Sequence, residues 1–376
     1  MLTEDSRRRD FPSLEGMTYL NTAAEGVPSL AVGEALAEYF RDKQRGMDGR
    51  DAHFRRWEEA KELTAGMFGL SPAEVTICSC SSEAYNLAAL ALRLKPGDEV
   101  VINDLDFPAG ATPWLQEGCP ATVKVWRSRQ GALRLEDLPP LLGPRTRLVT
   151  VSLVSFFNGF RIDEQAVLAT VRKHSPALMA LDVTQALGRI PLKLQDIDLI
   201  VSSTHKWILA SHGGGLVGVP RARAEDWRVP AGGWHNLEDP FGAGRCERAV
   251  SRPGAASFTV GMPNFPAVYA IRAALDYLRQ VGVAAIHQAA QPLLLACLDE
   301  VKRLPVELIT PVEPDHLAGI FAFRHAHAAD IHRRLRERNI HVMSHAGRLR
   351  VAIHGYNTSA DVERFVTALH EASQEA

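Results

Sequence analysis

Two periods alternate along the chain. Val75 to Ser79, EVVIND, TVKVW, RLVTVSLVS, ALMALDV, DLIVSS and GGLVGVP are short, nearly continuous apolar runs rich in β-branched residues, the pattern of strands buried on both faces. Between them stand segments of helical periodicity: Ser29 to about Arg45, Ala52 to Phe68, a stretch near Asp163 to His174, and AYNLAALALRL, which Ser81, Ser82 and Glu83 open and Pro96 and Gly97 stop. The alternation predicts an α/β fold with a mainly parallel, helix-covered sheet. Met17 to Leu20 predicts a short strand that leads into the turn-rich NTAAEGVPS.

The pattern breaks after Pro220, where RARAEDWRVPAGGWHNLEDPFGAGR has many glycines, prolines and charges but little period, as a long functional loop would. Asn264 to Val281 and Ala284 to Leu304 then read as long helices, followed by VELITP, GIFAFRH, a helix through IHRRLRER, RLRVAIHG and a final amphipathic helix. We therefore expect a large α/β domain over residues 16–262 and a small α+β domain over residues 263–376, with residues 1–15 packed near the latter.

Composition narrows the class of protein. The 376 residues are 46% hydrophobic and 23% charged, enough for a large core, and a net charge of −2 gives no electrostatic reason to expect nucleic acid or an anionic membrane. The run Arg7, Arg8, Arg9 is expected to be a solvated terminus. Five scattered cysteines suit reduced thiols in a cytoplasm. LTEDSRRRDFP lacks the apolar core of a secretory signal, and no apolar run is long enough to span a membrane, so a cytoplasmic protein is expected.

The chemistry centres on DLIVSSTHKWILASHGGG, where an apolar strand ends in Ser203, Thr204, His205 and Lys206. A lysine at the tip of a buried strand must pair its charge or lose it, which makes it costly as structure and apt as a reactive amine. Such an amine can hold pyridoxal phosphate (PLP) as a Schiff base, and PLP then serves as an electron sink for carbanion chemistry on amino acids. Asp182, at the end of ALMALDV, supplies a carboxylate that would keep the PLP ring nitrogen protonated; alone, it could equally cap the following turn. Ser81 and Ser82 open a helix whose free N–H groups could cradle phosphate, or serve simply as a cap.

Other patterns lead elsewhere or nowhere. Gly213, Gly215 and Gly218 spell GxGxxG but run into a strand instead of opening a helix, so we read them as a close backbone approach to the lysine and not as a nucleotide loop. His325 and His327 would share a strand face, but without a third ligand no metal is expected. No GxSxG elbow supports a hydrolase. Tyr85, Phe156, Phe157, Trp207 and Trp234 could line an apolar pocket or simply fill the core.

These residues together resemble the class V aminotransferase family of PLP enzymes, which includes cysteine desulfurases, selenocysteine lyases, kynureninases and isopenicillin N epimerase-like proteins. The likeness runs from about Tyr19 to the final helix and is most specific in DVTQALG and SSTHKW. It implies the fold type I architecture, a homodimer, Asp182 on the ring nitrogen, Gln185 on the ring hydroxyl, Lys206 as Schiff base, and Ser203, His205, Ser81 and Ser82 at the phosphate. It further implies that Phe107 of DFPAGATPW stacks on PLP and that Arg350 of RVAIHGYNT, with Asn21, binds the substrate. Two departures stand out. The interval HVMSHAGRLR lacks the loop cysteine that desulfurases carry, and Met262 replaces the threonine of GTPN, leaving the Gly261 N–H to serve the partner subunit's phosphate. The resemblance implies an aminotransferase first, with a C–S or C–C lyase or an epimerase as alternatives.

Overall fold

Seven of the apolar runs assemble into one sheet in the computed structural model, which describes residues 1–374. Helix α1 (Glu4–Asp10) and strand β1 (Thr18–Tyr19) precede two long helices, α2 (Leu30–Gln44) and α3 (Arg50–Phe68). Strand β2 (Val75–Cys78), helix α4 (Ser81–Leu92), strand β3 (Glu99–Asn103), the one-turn helix α5 (Pro108–Ala111) and strand β4 (Thr122–Trp126) follow. Next come β5 (Thr146–Ser152), α6 (Glu164–His174), β6 (Leu178–Asp182), β7 (Leu199–Ser203) and β8 (Gly215–Gly218).

The sheet order is β2-β8-β7-β6-β5-β3-β4, parallel throughout except that β8 runs antiparallel to both of its neighbours. Its central strands are apolar because both faces are covered: Val149, Val151, Leu181 and Ile200 face one core, and Leu148, Ala180 and Val201 the other. Parallel strands all point their carboxyl ends the same way, so the loops after β2, β3, β5, β6 and β7 collect at one edge.

The glycine-rich stretch is a turn and a strand, as its context predicted, but its glycines do not approach the lysine. A Cβ at Gly213 would meet the Asn264 side chain, one at Gly214 would meet Ile271 and Thr204, and one at Gly215 the Cys80 carbonyl. The close approach to the lysine comes from Gly26, where a Cβ would lie 1.9 Å from the Lys206 carbonyl oxygen. This contact joins distant parts of the chain and leaves no local pattern.

Helices α7 (Phe265–Val281) and α8 (Val283–Val301) meet at a 75° bend at Gly282. The buried face of α7, including Val268, Ile271 and Leu275, joins the same core as Val32, Trp57 and the large sheet. Strands β9 (Glu307–Leu308) and β10 (Ile320–Arg324), helix α9 (Ala328–Glu337), strands β11 (Ile340–His341), β12 (Met343–His345) and β13 (Arg348–Ala352) and helix α10 (Ser359–Gln374) complete the chain. An antiparallel sheet of order β12-β13-β10-β9 forms there, while β1 returns to pair with β11. The unpredicted strands β11 and β12 lie within IHVMSHAG, too short and mixed to show a period. Ala346 and Gly347 both take positive φ, 51° and 72°, the geometry of a two-residue primed hairpin turn between β12 and β13.

Two expectations are corrected. His325 and His327 do not share a strand face, because β10 ends at Arg324 and the His327 N–H donates to His325 Nδ1 at 3.1 Å in a turn. Arg7 is not simply solvated: it pairs with Asp361 at 2.9 Å and donates to the Met17 carbonyl, tying the N-terminus to α10. Among the described residues no single helix is long and apolar enough to cross a membrane.

Strand β13 has two distinct faces. Leu349, Val351 and Ile353 point into a core with Phe321, Phe323 and Phe365, whereas Arg348, Arg350 and Ala352 point the other way. Leu349→Ala should therefore cost about 2–5 kcal/mol in denaturant unfolding. Unchanged stability would mean that this face holds no core.

Candidate active site

The predicted residues converge at the carboxyl edge of the large sheet. Ser81, Phe107, Asp182, Gln185, Ser203 and Lys206 line one narrow cleft, together with Ser152, Phe156 and Thr184. Wider surface grooves, such as that between Glu59, Met67, Arg272 and Arg279, bring together no comparable reactive set.

A rigid turn aims Lys206. The Leu209 N–H donates to the Lys206 carbonyl at 3.0 Å, the Ala210 N–H to Thr204 at 3.1 Å, and the Thr204 hydroxyl to the carbonyls of Ser211 and Gly214. Leu209 takes a φ of +61°, an uncommon conformation for such a residue that this bonding holds in place. Trp207 is fully buried, with its indole N–H on Gln185 Oε1 at 2.6 Å and its carbonyl 2.8 Å from His354 Nε2. Because His354 Nδ1 accepts from the Gly355 N–H, Nε2 carries the proton that Trp207 receives.

Lys206 is 9% exposed, and its amine has no hydrogen bond or ion pair among the described residues; the amine stands 5.0 Å from the Phe107 ring centroid. Burial lowers its pKa to about 8, with Arg350 adding to the shift and Asp182 opposing it. Burial likewise raises the Asp182 pKa, against the Thr184 hydrogen bond and the Lys206 charge. Thr184 N–H donates to Asp182 Oδ1 at 2.8 Å. Asp182 and Lys206 thus face one narrow cleft with no ion pair between them among the described residues, and that cleft is the room a third group would have to fill.

That room has polar ends. The Ser81 hydroxyl lies 2.9 Å from that of Ser203, at the first turn of α4, where the N–H groups of Ser81 and Ser82 have no partner within their own helix. Ser203 N–H is held by Thr184 Oγ1 at 2.9 Å. Gln185 is fixed at both ends, since its amide also donates to the Ala23 carbonyl at 3.0 Å. A free buried amine, an acidic group, a hydroxyl pair at a helix terminus and the half-exposed Phe107 ring fit, respectively, the aldehyde, ring nitrogen, phosphate and ring face of PLP.

The small sheet supplies the outer wall. Arg350 is 3% exposed, donates to the Phe156 carbonyl at 2.7 Å and leaves Nε buried without a partner; burial lowers its pKa to about 10. Asn21 bridges to Ala352 on the same strand, and its Oδ1 is also buried and unpartnered. Such orphaned groups are expected where a polar ligand completes the bonding.

Some residues fall elsewhere. His205 is not among those lining the cleft: its ring stacks on His212 at 4.4 Å, and burial, Lys206 and His212 lower its pKa to about 4. With Glu25, these histidines bring three ligand-capable atoms within 4.8 Å of one another, a grouping invisible in the linear sequence. Ser82 is exposed, and around Gly261 a Cβ would meet nothing. Tyr85 and Trp207 are core, Phe156 lines the cleft and Trp234 packs on Phe241. Sequence reasoning missed Asp106, half-buried beside Tyr85 and Asp182, whose carboxylate accepts the Ser152 N–H at 2.7 Å and whose pKa is raised to about 7 by the desolvation of that carboxylate. Its place directly before Phe107 was the available signal.

Comparison with known proteins finds relatives along the whole chain. The family model described as aminotransferase class-V matches residues 18–365. The chain is 26% identical over 365 residues to an uncharacterized aminotransferase of Bacillus subtilis, covering 96% of this chain and 95% of the relative. It is 28% identical over 405 residues to a cysteine desulfurase of Klebsiella pneumoniae, covering 96% of each. Among solved structures, the apo cysteine desulfurase of Thermococcus onnurineus superposes with a TM-score of 0.90 at 21% identity, over 100% of this chain and 99% of that one. C-DES with glycine covalently linked to its PLP cofactor gives 0.87 at 21% identity, over 97% and 99%.

The Lys206 environment sets a pH dependence. Only the neutral amine attacks an aldehyde, so uptake of PLP by cofactor-free protein, followed by visible absorbance, should rise to half its maximum near pH 8, not the ordinary 10.5. Arg350→Gln should move the midpoint up and Asp182→Asn should move it down. A wild-type midpoint near 10.5 would contradict the environment described.

Proposed function

The chain belongs to the aminotransferase class-V family, and on that footing we propose that this PLP-dependent enzyme transfers the amino group of an amino acid, with Lys206 as its catalytic residue. The observation that carries the reading is the buried, unpartnered Lys206 amine, which shares a cleft with Asp182 at the ends of adjacent parallel strands. Bound PLP supplies a conjugated ring that delocalises the electron pair left when a bond at the substrate α-carbon breaks.

The protein residues divide the remaining work. Ser81, Ser203 and the α4 terminus would hold the phosphate, Asp182 the ring nitrogen, Gln185 the ring hydroxyl and Phe107 the ring face. Arg350 would take the substrate carboxylate as a two-pronged partner, with Asn21 beside it. Lys206, displaced by the substrate amine, is then free to take the proton from the α-carbon and return it elsewhere. Its lowered pKa suits this, because an amine that titrates near 8 is an effective base close to neutral pH. Burial of Arg350 and Lys206 excludes water from the same small volume, so the carboxylate contact is worth more than it would be at the surface. We place Ser82, His205 and Gly261 in a weaker, phosphate-side role that a partner subunit could complete.

A lyase is the second reading, supported by the desulfurase relatives and the C-DES likeness. Release of sulfur through an enzyme-bound persulfide is disfavoured by the β12–β13 turn: Ala346 and Gly347 close it tightly, and it carries no cysteine. A homodimer is supported by the exposed apolar side chains Leu30, Phe40 and Met47 on and just after α2, and a cytoplasmic location by five free cysteines. We propose large and small units over residues 16–262 and 263–376.

The test is a screen of amino acids for keto-acid formation, with and without an amino acceptor. Transamination predicts product only with the acceptor and loss of turnover in Lys206→Ala. Product without an acceptor would favour a lyase, and so would pyruvate with sulfide from cysteine, an elimination that needs no enzyme thiol; alanine from cysteine, with the sulfur left on the enzyme as a persulfide, would overturn the reading of the hairpin. Arg350→Gln should weaken transition-state binding by about 2–5 kcal/mol in kcat/KM.

A further inference from the structure

Strand β13 carries a second buried guanidinium for which the proposed reaction has no use. Arg348 lies two positions before Arg350 on the same face and is likewise 3% exposed. Its Nε is buried and unpartnered, and the side chain makes no hydrogen bond or ion pair among the described residues. Its guanidinium carbon sits 4.1 Å from the Phe157 ring centroid. Arg350 is anchored by the neighbouring Phe156 carbonyl, so both cations rest on one loop, whose Phe156 lines the cleft.

Folding alone gives little reason for this cation. The residues directly opposite Arg348 on the two flanking strands are Arg324 and His345, so no carboxylate faces it across the sheet, and like charges so placed are destabilising. Arg324 is itself paired, with Glu307 at 3.3 Å. A guanidinium cannot shed its charge at working pH, so a buried one without an acid awaits an anion. Stacking on Phe157 holds the plane of the fork while leaving its N–H groups available. Residues two apart on a strand are separated by roughly 6.6 Å. Two flexible arms at that spacing can converge on the two ends of one short diacid.

We propose that Arg348 recognises a second anionic group, and that the substrate is an amino acid whose side chain ends in a carboxylate, of the aspartate or glutamate type. The proposal rests on the reading of Arg350 as the α-carboxylate partner. It also revises the expectation of an apolar pocket, since Phe157 serves as a platform beneath a cation.

The test titrates the holoenzyme with glutarate and with butyrate by calorimetry. Glutarate should bind at least tenfold more tightly than butyrate. Arg348→Gln should remove that advantage while leaving butyrate affinity within about twofold, and Arg348→Lys, which keeps the charge but loses the fork, should keep part of it. Arg350→Gln should weaken both ligands. Equal affinities in the wild type, or an advantage that survives Arg348→Gln, would overturn the proposal. Should Arg348→Gln not fold, a glutarate advantage undiminished in Arg348→Lys would overturn it. Failure of the underlying reading looks different: Arg350→Gln would then leave butyrate binding unchanged.

Discussion

A cation and a carboxylate taken out of water at the ends of neighbouring strands constrain everything else in this molecule. Asp182 ends β6, and Lys206 follows β7, its parallel neighbour. Burial pushes both groups toward neutrality, yet they form no ion pair with each other among the described residues. An arrangement that pays desolvation twice without a direct contact is poor as structure and intelligible as a socket, in which a third group sits between them and satisfies both.

The rest of the site holds that socket at fixed width. The turn after Lys206 is braced by Thr204, by the close approach of Gly26 and by Trp207, whose indole and carbonyl are bound by Gln185 and His354. The last contact matters beyond its size, because His354 follows β13. Arg350 to the Phe156 carbonyl and Arg189 to the Ile353 carbonyl make the same crossing between the two sheets. Movement of β13 relative to the large sheet would therefore shift the carboxylate-binding arginine and the lysine loop together. Strand β13 also shows how one element serves folding and chemistry: its odd positions are ordinary core, and two of its even positions, Arg348 and Arg350, are cations that the core could not accept.

Much of this was legible in the chain, and the reasons are local. Strands buried on both faces need unbroken apolar runs, so the large sheet and the strand-end positions of Asp182 and Lys206 stood out. The helix starting at Ser81 announced itself by hydroxyls before an apolar period. Relations that depend on tertiary approach did not show. Gly26 read as a turn glycine because its partner, the Lys206 carbonyl, is remote in sequence, and the glycines after Lys206 were credited with that contact although they pack on Asn264, Thr204 and Cys80. His205 was assigned to the phosphate by the family resemblance, but its ring stacks on His212. Arg348 drew no notice in the sequence, because only the alternation of β13 against a real core reveals that it is buried.

In the proposed function the Lys206 amine holds the cofactor. Reduction of the PLP-loaded protein with borohydride, followed by peptide mass mapping, tests it most directly. The account predicts that the visible absorbance bleaches and that the mass of one reduced cofactor appears on the peptide containing Lys206 and on no other, with neither change in Lys206→Ala. A label on a different lysine, or absorbance and label that persist in Lys206→Ala, would contradict it.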